Sequence, residues 1–316
     1  MSLAIVEPGF LTTIQDLGRR GYQRFGIPVS GAMDRFALMA ANALVGNPLE
    51  AAGLEASLAG PALQAQQDCL VAAAGSGMSL EVEGRLLPLW MAVFVRRGWT
   101  VRMVCRPQGG WSYLAVTGGV DVPLVMGSRA TYLRGGFGGY CGRALQPGDV
   151  LPLGTPRESI FHLAGRSLPP EYIPAYSDAP CLAVLSGPQQ AAFTGEGLET
   201  FLKGTYCIRP DSDRMGYRLQ GAVVPRQGGA DILSQGLVCG AVQVPASGQP
   251  IIAMSDCQTT GGYTQIAVVA SADLPFLSQC PFDLGEVHFY PTTLAESQQR
   301  YRRQVEWLQR GIISAE

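Results

Sequence analysis

Glycine and proline interrupt this chain so often that most of its regular elements are expected to be short. Its 316 residues include 40 glycines and 22 prolines, which recur without a fixed period. Such spacing is typical of strands joined by tight turns. Because 47% of the residues are hydrophobic and only 15% are charged, the chain has enough apolar surface for a packed core. We therefore expect a folded, mainly β protein with a few short helices.

The length of the chain indicates two domains, or two halves that share a core. A polar, proline-containing joint over residues 164–180 is the best boundary between them. We predict three parts: an N-terminal β domain over 1–165, a C-terminal β domain over 180–290 and a final helix over 291–316. The pattern from Leu58 to Gly154 predicts a nearly continuous series of strands.

Two helices are signalled by their caps. Asp34 precedes apolar residues at helical spacing, and Gly46-Asn47-Pro48 ends that stretch. In the final helix, Thr293 and Glu296 form a capping box. One face of the final helix carries arginines, which we expect to be solvated, with docking of a partner as the alternative. These arginines are Arg300, Arg302, Arg303 and Arg310.

Charge and hydropathy argue against several kinds of partner. A net charge of −2 gives no basic surface for nucleic acid or for a membrane. No apolar run is long enough to span a bilayer. The start of the chain lacks the basic residues and the long apolar stretch of a signal peptide, so we expect a cytoplasmic protein.

Lysine is nearly absent, which restricts cofactor chemistry. Lys203 is the only lysine in the sequence. Leu202 stands directly before it, where a phosphate-binding loop requires a glycine, and Lys203 does not lie between methionines as a biotin-accepting lysine usually does. We therefore expect no biotin attached to this chain, and any nucleotide site in it is not of the P-loop kind.

The cysteines and histidines give no pattern for metal binding. The eight cysteines lie at least 18 residues apart, so the chain contains no CxxC pair. We expect most of them to be reduced thiols packed as small apolar side chains. His162 and His288 lie in apparent strands and are interpreted as structural. No metal is expected.

A first polar segment runs between glycines from Gly9 to Asp34. Ser30 and Gly31 lead into the first helix, whose free N–H groups favour an anion. We assign Asp16 as a candidate catalytic residue. The candidates for substrate binding are Arg19, Ser30, Gly31 and Asp34. The alternative is a capped loop with an ion pair between Asp16 and Arg19.

A second segment surrounds Gly216. Arg214 and Arg218 lie four residues apart and can clamp a carboxylate or a phosphate by bidentate hydrogen bonds. We assign Arg214 as catalytic, and Tyr217 and Arg218 as substrate-binding. The alternative is a surface turn with local Asp–Arg pairs.

A third segment follows the apolar strand Ile251 to Met254. Asp256 is placed to act as a base or an orienting group, and Gln258 to polarise a carbonyl. Both are candidate catalytic residues. The neighbouring amide, hydroxyl and phenol groups can surround a substrate oxygen. These substrate-binding candidates are Thr259, Thr260, Gly261, Gly262 and Tyr263. Cys257 is a weak candidate nucleophile, because no histidine is near it in sequence.

Together, these motifs resemble a known family. The runs Thr12–Arg19 and Pro28–Asp34, then Arg214–Leu219 and Gln258–Tyr263, occur in the order found in the carboxyltransferase-domain, KipA-like family. That family includes the C subunit of bacterial 5-oxoprolinase. The resemblance covers residues 5–290. Thr264 stands where the family usually has proline, which loosens that turn.

The resemblance implies both a fold and a function. The implied fold is two cyclophilin-like β barrels in tandem. The implied activity is ATP-dependent opening of 5-oxo-L-proline to L-glutamate by a complex with a KipI-like B subunit and a lactam-utilisation-type A subunit, with ATP used at the level of the complex. One alternative is a biotin-dependent carboxyltransferase component that acts on urea or another amide. The other is a non-enzymatic regulator that binds a KipI-like kinase inhibitor.

Overall fold

The computed structural model describes residues 1–106 and 110–312 of the chain. They divide into two compact units, each discontinuous in sequence. Unit 1 comprises Met1–Arg19, Ser30–Ala175 and the chain from Gln304; unit 2 comprises Arg20–Val29 and Tyr176–Arg303. One division falls inside the joint over 164–180. The composition gave no sign that residues 20–29 belong to unit 2, or that the end of the last helix belongs to unit 1.

Unit 1 is built on two antiparallel sheets. Its strands are β1 (Ser2–Glu7), β2 (Leu11–Gln15), β3 (Gly53–Ser57), β4 (Ala62–Ala65), β5 (Cys69–Gly75), β6 (Met78–Val82), β7 (Arg85–Leu87), β8 (Ala92–Val95), β9 (Thr100–Cys105), β10 (Trp111–Val116) and β11 (Val150–Pro152). The six-stranded sheet has the order β11-β1-β4-β9-β6-β7, and the five-stranded sheet has the order β2-β3-β10-β5-β8.

A hydrophobic core lies between these two sheets. Leu3 and Leu63 contribute to it from the six-stranded sheet, and Leu54 and Leu114 from the five-stranded sheet. Side chains alternate along a strand. The neighbours of these leucines in β3 and β10 therefore face the opposite side of the five-stranded sheet, which the first helix covers.

The helices of unit 1 are short. They are α1 (Arg35–Leu44), α2 (Ile160–Leu163) and a 3-10 helix at Pro170–Tyr172. Asp34 caps α1, since its side chain accepts a hydrogen bond from the backbone N–H of Ala37 at 2.8 Å. This cap is confirmed. The prediction that His162 lies in a strand is wrong, because it lies in α2.

The predicted strand series is correct only as far as β10. Between β10 and β11 the chain runs through turns and isolated bridges. The reason is the backbone conformation of its glycines, which adopt positive φ and cannot extend a strand regularly. They are Gly118, Gly119, Gly127, Gly136, Gly138, Gly139, Gly142 and Gly148. Strands β2 and β3 were not predicted.

Unit 2 contains a closed barrel. Its strands are β12 (Cys181–Ser186), β13 (Tyr206–Ile208), β14 (Gly216–Gly221), β15 (Asp231–Gly236), β16 (Ala241–Val244), β17 (Ile251–Ala253), β18 (Thr260–Val269) and β19 (Glu286–Pro291). Seven of them close the ring in the order β12-β19-β13-β14-β17-β16-β18, and β18 pairs back to β12. Strand β15 pairs with the N-terminal part of β18, at Thr260, Gly261 and Tyr263. The mainly β fold with few helices is confirmed.

The remaining helices belong wholly or in part to unit 2. They are 3-10 helices at Gln23–Phe25 and Gln190–Ala192, α3 (Gly195–Lys203), α4 (Leu274–Gln279) and α5 (Leu294–Arg310). The capping box of α5 is confirmed: the N–H of Thr293 donates to Oε2 of Glu296 at 3.0 Å, and the N–H of Glu296 donates to Oγ1 of Thr293 at 3.2 Å. Within the part of the chain that the structure describes, no helix is both long and apolar enough to span a membrane.

Arg300 does not belong to a solvated face of α5. Its guanidinium pairs with the buried carboxylate of Asp273 and donates to the hydroxyl of Tyr290 at 3.0 Å. Arg302, Arg303 and Arg310 are exposed, as expected.

The expectation that most cysteines are packed is wrong. All eight are free thiols, and three of them are buried. The other five lie on the surface, at outward positions of strands or in loops: Cys105, Cys141, Cys181, Cys207 and Cys239.

Candidate functional site

Asp16 lies directly after β2, with its carboxylate held by three donors. Oδ1 accepts hydrogen bonds from the N–H of Gly18 and from Oγ of Ser128, each at 2.7 Å. Oδ2 accepts one from the N–H of Arg129 at 2.6 Å. Asp16 therefore anchors the 128–129 turn to the end of β2. This geometry supports a positioning role for Asp16 more directly than proton transfer.

Arg19 belongs to the interior of unit 1. Only 1% of its surface is exposed. Its Nη2 donates to the backbone oxygen of Ala130, and the guanidinium lies 5.0 Å from the ring centroid of Phe137. The arginine thus joins the segment after β2 to the glycine-rich turns that precede β11.

Ser30 and Gly31 bring the chain back against the end of β2. Both adopt left-handed backbone conformations, with φ of 57° and 88°. A Cβ atom at Gly31 would lie 2.7 Å from the nitrogen of Gly18, so only glycine fits there. Asp34 then caps α1 with its own carboxylate. The helix terminus that the sequence marks as attractive to an anion is thereby occupied by a residue of this chain.

A buried acid–phenol pair lies beneath this segment. The hydroxyl of Tyr113 donates to Oε2 of Glu55 at 2.7 Å and accepts a hydrogen bond from the N–H of Asp34 at 2.7 Å. The N–H of Met33 also donates to Oε2 of Glu55, at 2.8 Å. Burial raises the pKa of the Tyr113 hydroxyl well above its ordinary value. The sequence motifs did not predict this pair; its signal was the charged residue Glu55 at the centre of strand β3.

In unit 2, the structure brings together two residues that were predicted to be catalytic. Nε of Arg214 lies 2.8 Å from Oδ2 of Asp256, and Nη2 lies 3.1 Å from Oδ1. Their side chains are only 9% and 7% exposed. The N–H of Asp256 donates to the backbone oxygen of Arg214 at 2.8 Å. The two charges therefore neutralise each other, and the pair fixes the loop that continues into the third segment.

The other residues of the second segment point in different directions. Arg218 is exposed on β14, with its Nε 3.5 Å from Oδ2 of Asp211. Tyr217 is fully buried, and its hydroxyl donates to the backbone oxygen of Ser278 at 3.4 Å. Arg214 and Arg218 thus have separate carboxylate partners, and Tyr217 packs in the core.

The third segment is partly open to solvent. Gln258 and Thr260 are exposed, Thr259 is half-buried, and Tyr263 is 39% exposed. Gly261 and Gly262 lie within β18 rather than in a turn. A Cβ atom at Gly261 would lie 2.4 Å from Nε2 of Gln243, so a side chain at this position would have to displace that buried amide.

Cys257 is a poor nucleophile in this setting. Its side chain is buried, and burial raises the pKa of the thiol to about 12. Since the thiolate is the reactive form, the thiol is inert at neutral pH. Among residues 1–106 and 110–312, no three His, Cys, Asp or Glu side chains are grouped to hold a metal ion.

A polar pocket of about 360 Å³ opens in unit 1. Its walls include the Gly118–Gly119 turn, Asn47 and Arg129. Nε of Arg129 donates to the backbone oxygen of Val122 at 2.8 Å, and Nη2 lies 2.7 Å from Oδ1 of Asp121. Because Asp16 holds the backbone of Arg129, the first motif supports this pocket indirectly.

This fold and its motifs define a carboxyltransferase-type protein. The model of the family "Carboxyltransferase domain, subdomain A and B" matches residues 25–291. The chain belongs to this family, which confirms the resemblance inferred from its motifs.

The known relatives of this chain include 5-oxoprolinase subunits and a urea amidolyase. The chain is 38% identical to the C subunit of 5-oxoprolinase from Escherichia coli (strain K12) over 313 residues, which are 96% of this chain and 98% of the relative. It is also 38% identical to the C subunit of 5-oxoprolinase from Haemophilus influenzae, over 84% of each chain. The crystal structure of the K. lactis urea amidolyase superimposes with a TM-score of 0.91 at 29% identity. That match covers 97% of this chain but only 20% of the much longer amidolyase chain.

Proposed function

We propose that this chain acts as the C subunit of an ATP-dependent 5-oxoprolinase, which opens 5-oxo-L-proline to L-glutamate. Its partners in the proposal are a KipI-like B subunit and a lactam-utilisation-type A subunit. The observation that carries the proposal is 38% identity along 98% of the E. coli protein. ATP is used at the level of the complex, since the lone lysine of this chain lies outside any P-loop.

Opening a lactam is hydrolysis of an amide, so the carbonyl oxygen gains negative charge in the transition state. A hydrogen-bond donor aimed at that oxygen lowers the barrier. In unit 2, Gln258 is the exposed amide that follows the closed Arg214–Asp256 pair. We assign Gln258 to that donor role, and Arg214 and Asp256 to holding its loop in place.

The test is reconstitution of the three-subunit complex and measurement of glutamate release that depends on both ATP and 5-oxo-L-proline. Gln258→Ala should lower kcat on the order of 10²-fold if the amide stabilises the oxyanion. Gln220→Ala, at an exposed position on β14, is the matched control and should retain full turnover. Full activity of Gln258→Ala would show that the Gln258 amide does not stabilise the oxyanion. Tight pairing of the subunits without any turnover would favour a regulatory binder instead.

A second candidate, a biotin-dependent carboxyltransferase, is favoured by the superposition on the K. lactis urea amidolyase. In that case this chain would serve a biotin carried by another protein. The discriminating assay supplies a biotinylated carrier, a biotin carboxylase, ATP, bicarbonate and urea, and a parallel assay supplies the A and B subunits, ATP and 5-oxo-L-proline. Consumption of urea that avidin blocks would support the carboxyltransferase, whereas avidin-insensitive release of glutamate supports the 5-oxoprolinase.

A further inference from the structure

The unit 1 pocket has a rigid wall. The amide of Asn47 donates to Oδ1 of Asn42 at 3.0 Å and to the backbone oxygen of Val116 at 2.8 Å, and its oxygen accepts the N–H of Gly118 at 2.8 Å. Gly118 has a φ of 89°, and a Cβ atom there would lie 2.1 Å from the backbone oxygen of Gly154. The wall is thus fixed before any ligand arrives, which reduces the entropy lost on binding.

The pocket also contains charges of both signs, of which only Arg129 and Asp121 neutralise each other. Arg129 is held in place by Asp121 and Val122. By contrast, Arg157 and Glu50 line the pocket without a hydrogen-bond or ion-pair partner in the described chain. An arginine and a glutamate that share a cavity but remain unpaired are matched by a ligand that carries both a carboxylate and an ammonium group.

We propose that this pocket binds a small α-amino acid. The guanidinium of Arg157 receives the carboxylate, since the planar guanidinium pairs with carboxylates through two parallel hydrogen bonds. Glu50 receives the ammonium group. A volume of about 360 Å³ accommodates a side chain of the size of that of glutamate. The choice of L-glutamate as the first ligand rests on the proposed function, of which it is the product.

The experiment is calorimetric titration of the purified full chain with L-glutamate and with glutarate, which lacks the ammonium group. Arg157→Gln should weaken the binding of both ligands about tenfold, the effect of one charged hydrogen bond. Glu50→Gln should weaken the binding of L-glutamate by a similar factor but leave that of glutarate unchanged. Arg85→Gln is the matched control, because Arg85 is exposed on β7 and does not line the pocket.

Two results overturn the proposal: no binding of either ligand at millimolar concentration, or equal binding by Arg157→Gln and Arg85→Gln. Neither result depends on turnover by the complex. If the complex releases glutamate while the isolated chain binds none, the proposed function stands and the pocket assignment fails. If the chain binds glutamate through Arg157 while the complex is inactive, the pocket stands without that function.

Discussion

Arg214 and Asp256 form a buried, two-point ion pair, with nitrogen–oxygen distances of 2.8 and 3.1 Å. The N–H of Asp256 also bonds to the backbone oxygen of Arg214. These contacts join two motifs that lie 42 residues apart. Loss of activity after substitution of either residue therefore does not by itself identify a catalytic group, because the loop that carries Gln258 depends on the pair.

Removal of one partner of this pair should strongly destabilise unit 2. Arg214→Ala or Asp256→Ala leaves an uncompensated buried charge, which costs about 3–5 kcal/mol. The double variant should lose clearly less than the sum of the two single losses, because it leaves no isolated charge. Urea denaturation of the four proteins measures this coupling. Additive losses would show that the two side chains are not energetically coupled.

Asp16→Asn should destabilise unit 1 because hydrogen bonds to the Asp16 carboxylate are lost, in addition to the loss of its charge. An asparagine amide presents a donor to at least one of the three groups that now donate to Asp16. The expected loss in the free energy of unfolding is about 2–3 kcal/mol. Asp68→Asn is the control, since Asp68 is exposed and accepts one backbone N–H, from Arg97; its effect should stay within about 0.5 kcal/mol. Equal effects of the two substitutions would contradict the anchoring role.

Tyr113→Phe should lower the stability of unit 1, because it leaves buried polar groups of Glu55 and Asp34 without a hydrogen-bond partner they now have. The hydroxyl serves both Glu55 and the N–H of Asp34, so its removal leaves a donor and an acceptor without that partner. We expect a loss of about 1–3 kcal/mol in the free energy of unfolding. Tyr22→Phe is the control, because the Tyr22 hydroxyl has no hydrogen-bond partner among the residues that the structure describes. A Tyr113→Phe protein as stable as this control would show that solvent reaches the layer.

The features that the sequence predicted correctly are local. The cap at Asp34 and the box of Thr293 with Glu296 depend on residues three positions apart, so the sequence pattern contains them completely. The mainly β fold followed from the frequent glycines and prolines, and the family motifs agreed with it. The pairing of Arg214 with Asp256 and that of Glu55 with Tyr113 depend on strand register over 42 and 58 residues. No local pattern fixes such register.

The pocket was missed for a related reason. Its walls come from segments far apart in sequence, and its lining includes Glu50 and Arg157, neither of which lies in a motif. The glycines between β10 and β11 misled the strand prediction because their positive φ values build turns around apolar residues that otherwise resemble strands. Alternation of polar and apolar residues does not distinguish these two cases.

Alkaline conditions should weaken the folded state through its buried thiols. Burial raises the pKa of Cys69, Cys257 and Cys280 to about 12, from an ordinary value of 9.0. Below the ordinary value both states keep the proton, so the stabilising effect is fully present. Between these two values the unfolded chain loses protons that the folded chain retains, and the free energy of unfolding falls with pH. Each thiol contributes at most about 1.4 kcal/mol per pH unit to this fall.

Urea denaturation in a reducing buffer, repeated from neutral to strongly alkaline pH, measures that slope. Cys257→Ala should give a shallower fall than the unmodified chain, because the thiol that titrates only in the unfolded state is gone. Cys105→Ala is the matched control; Cys105 is exposed, so its removal should leave the slope unchanged. Identical slopes in all three proteins would mean that the buried thiol ionises equally easily in both states, and that the packing around Cys257 does not exclude water.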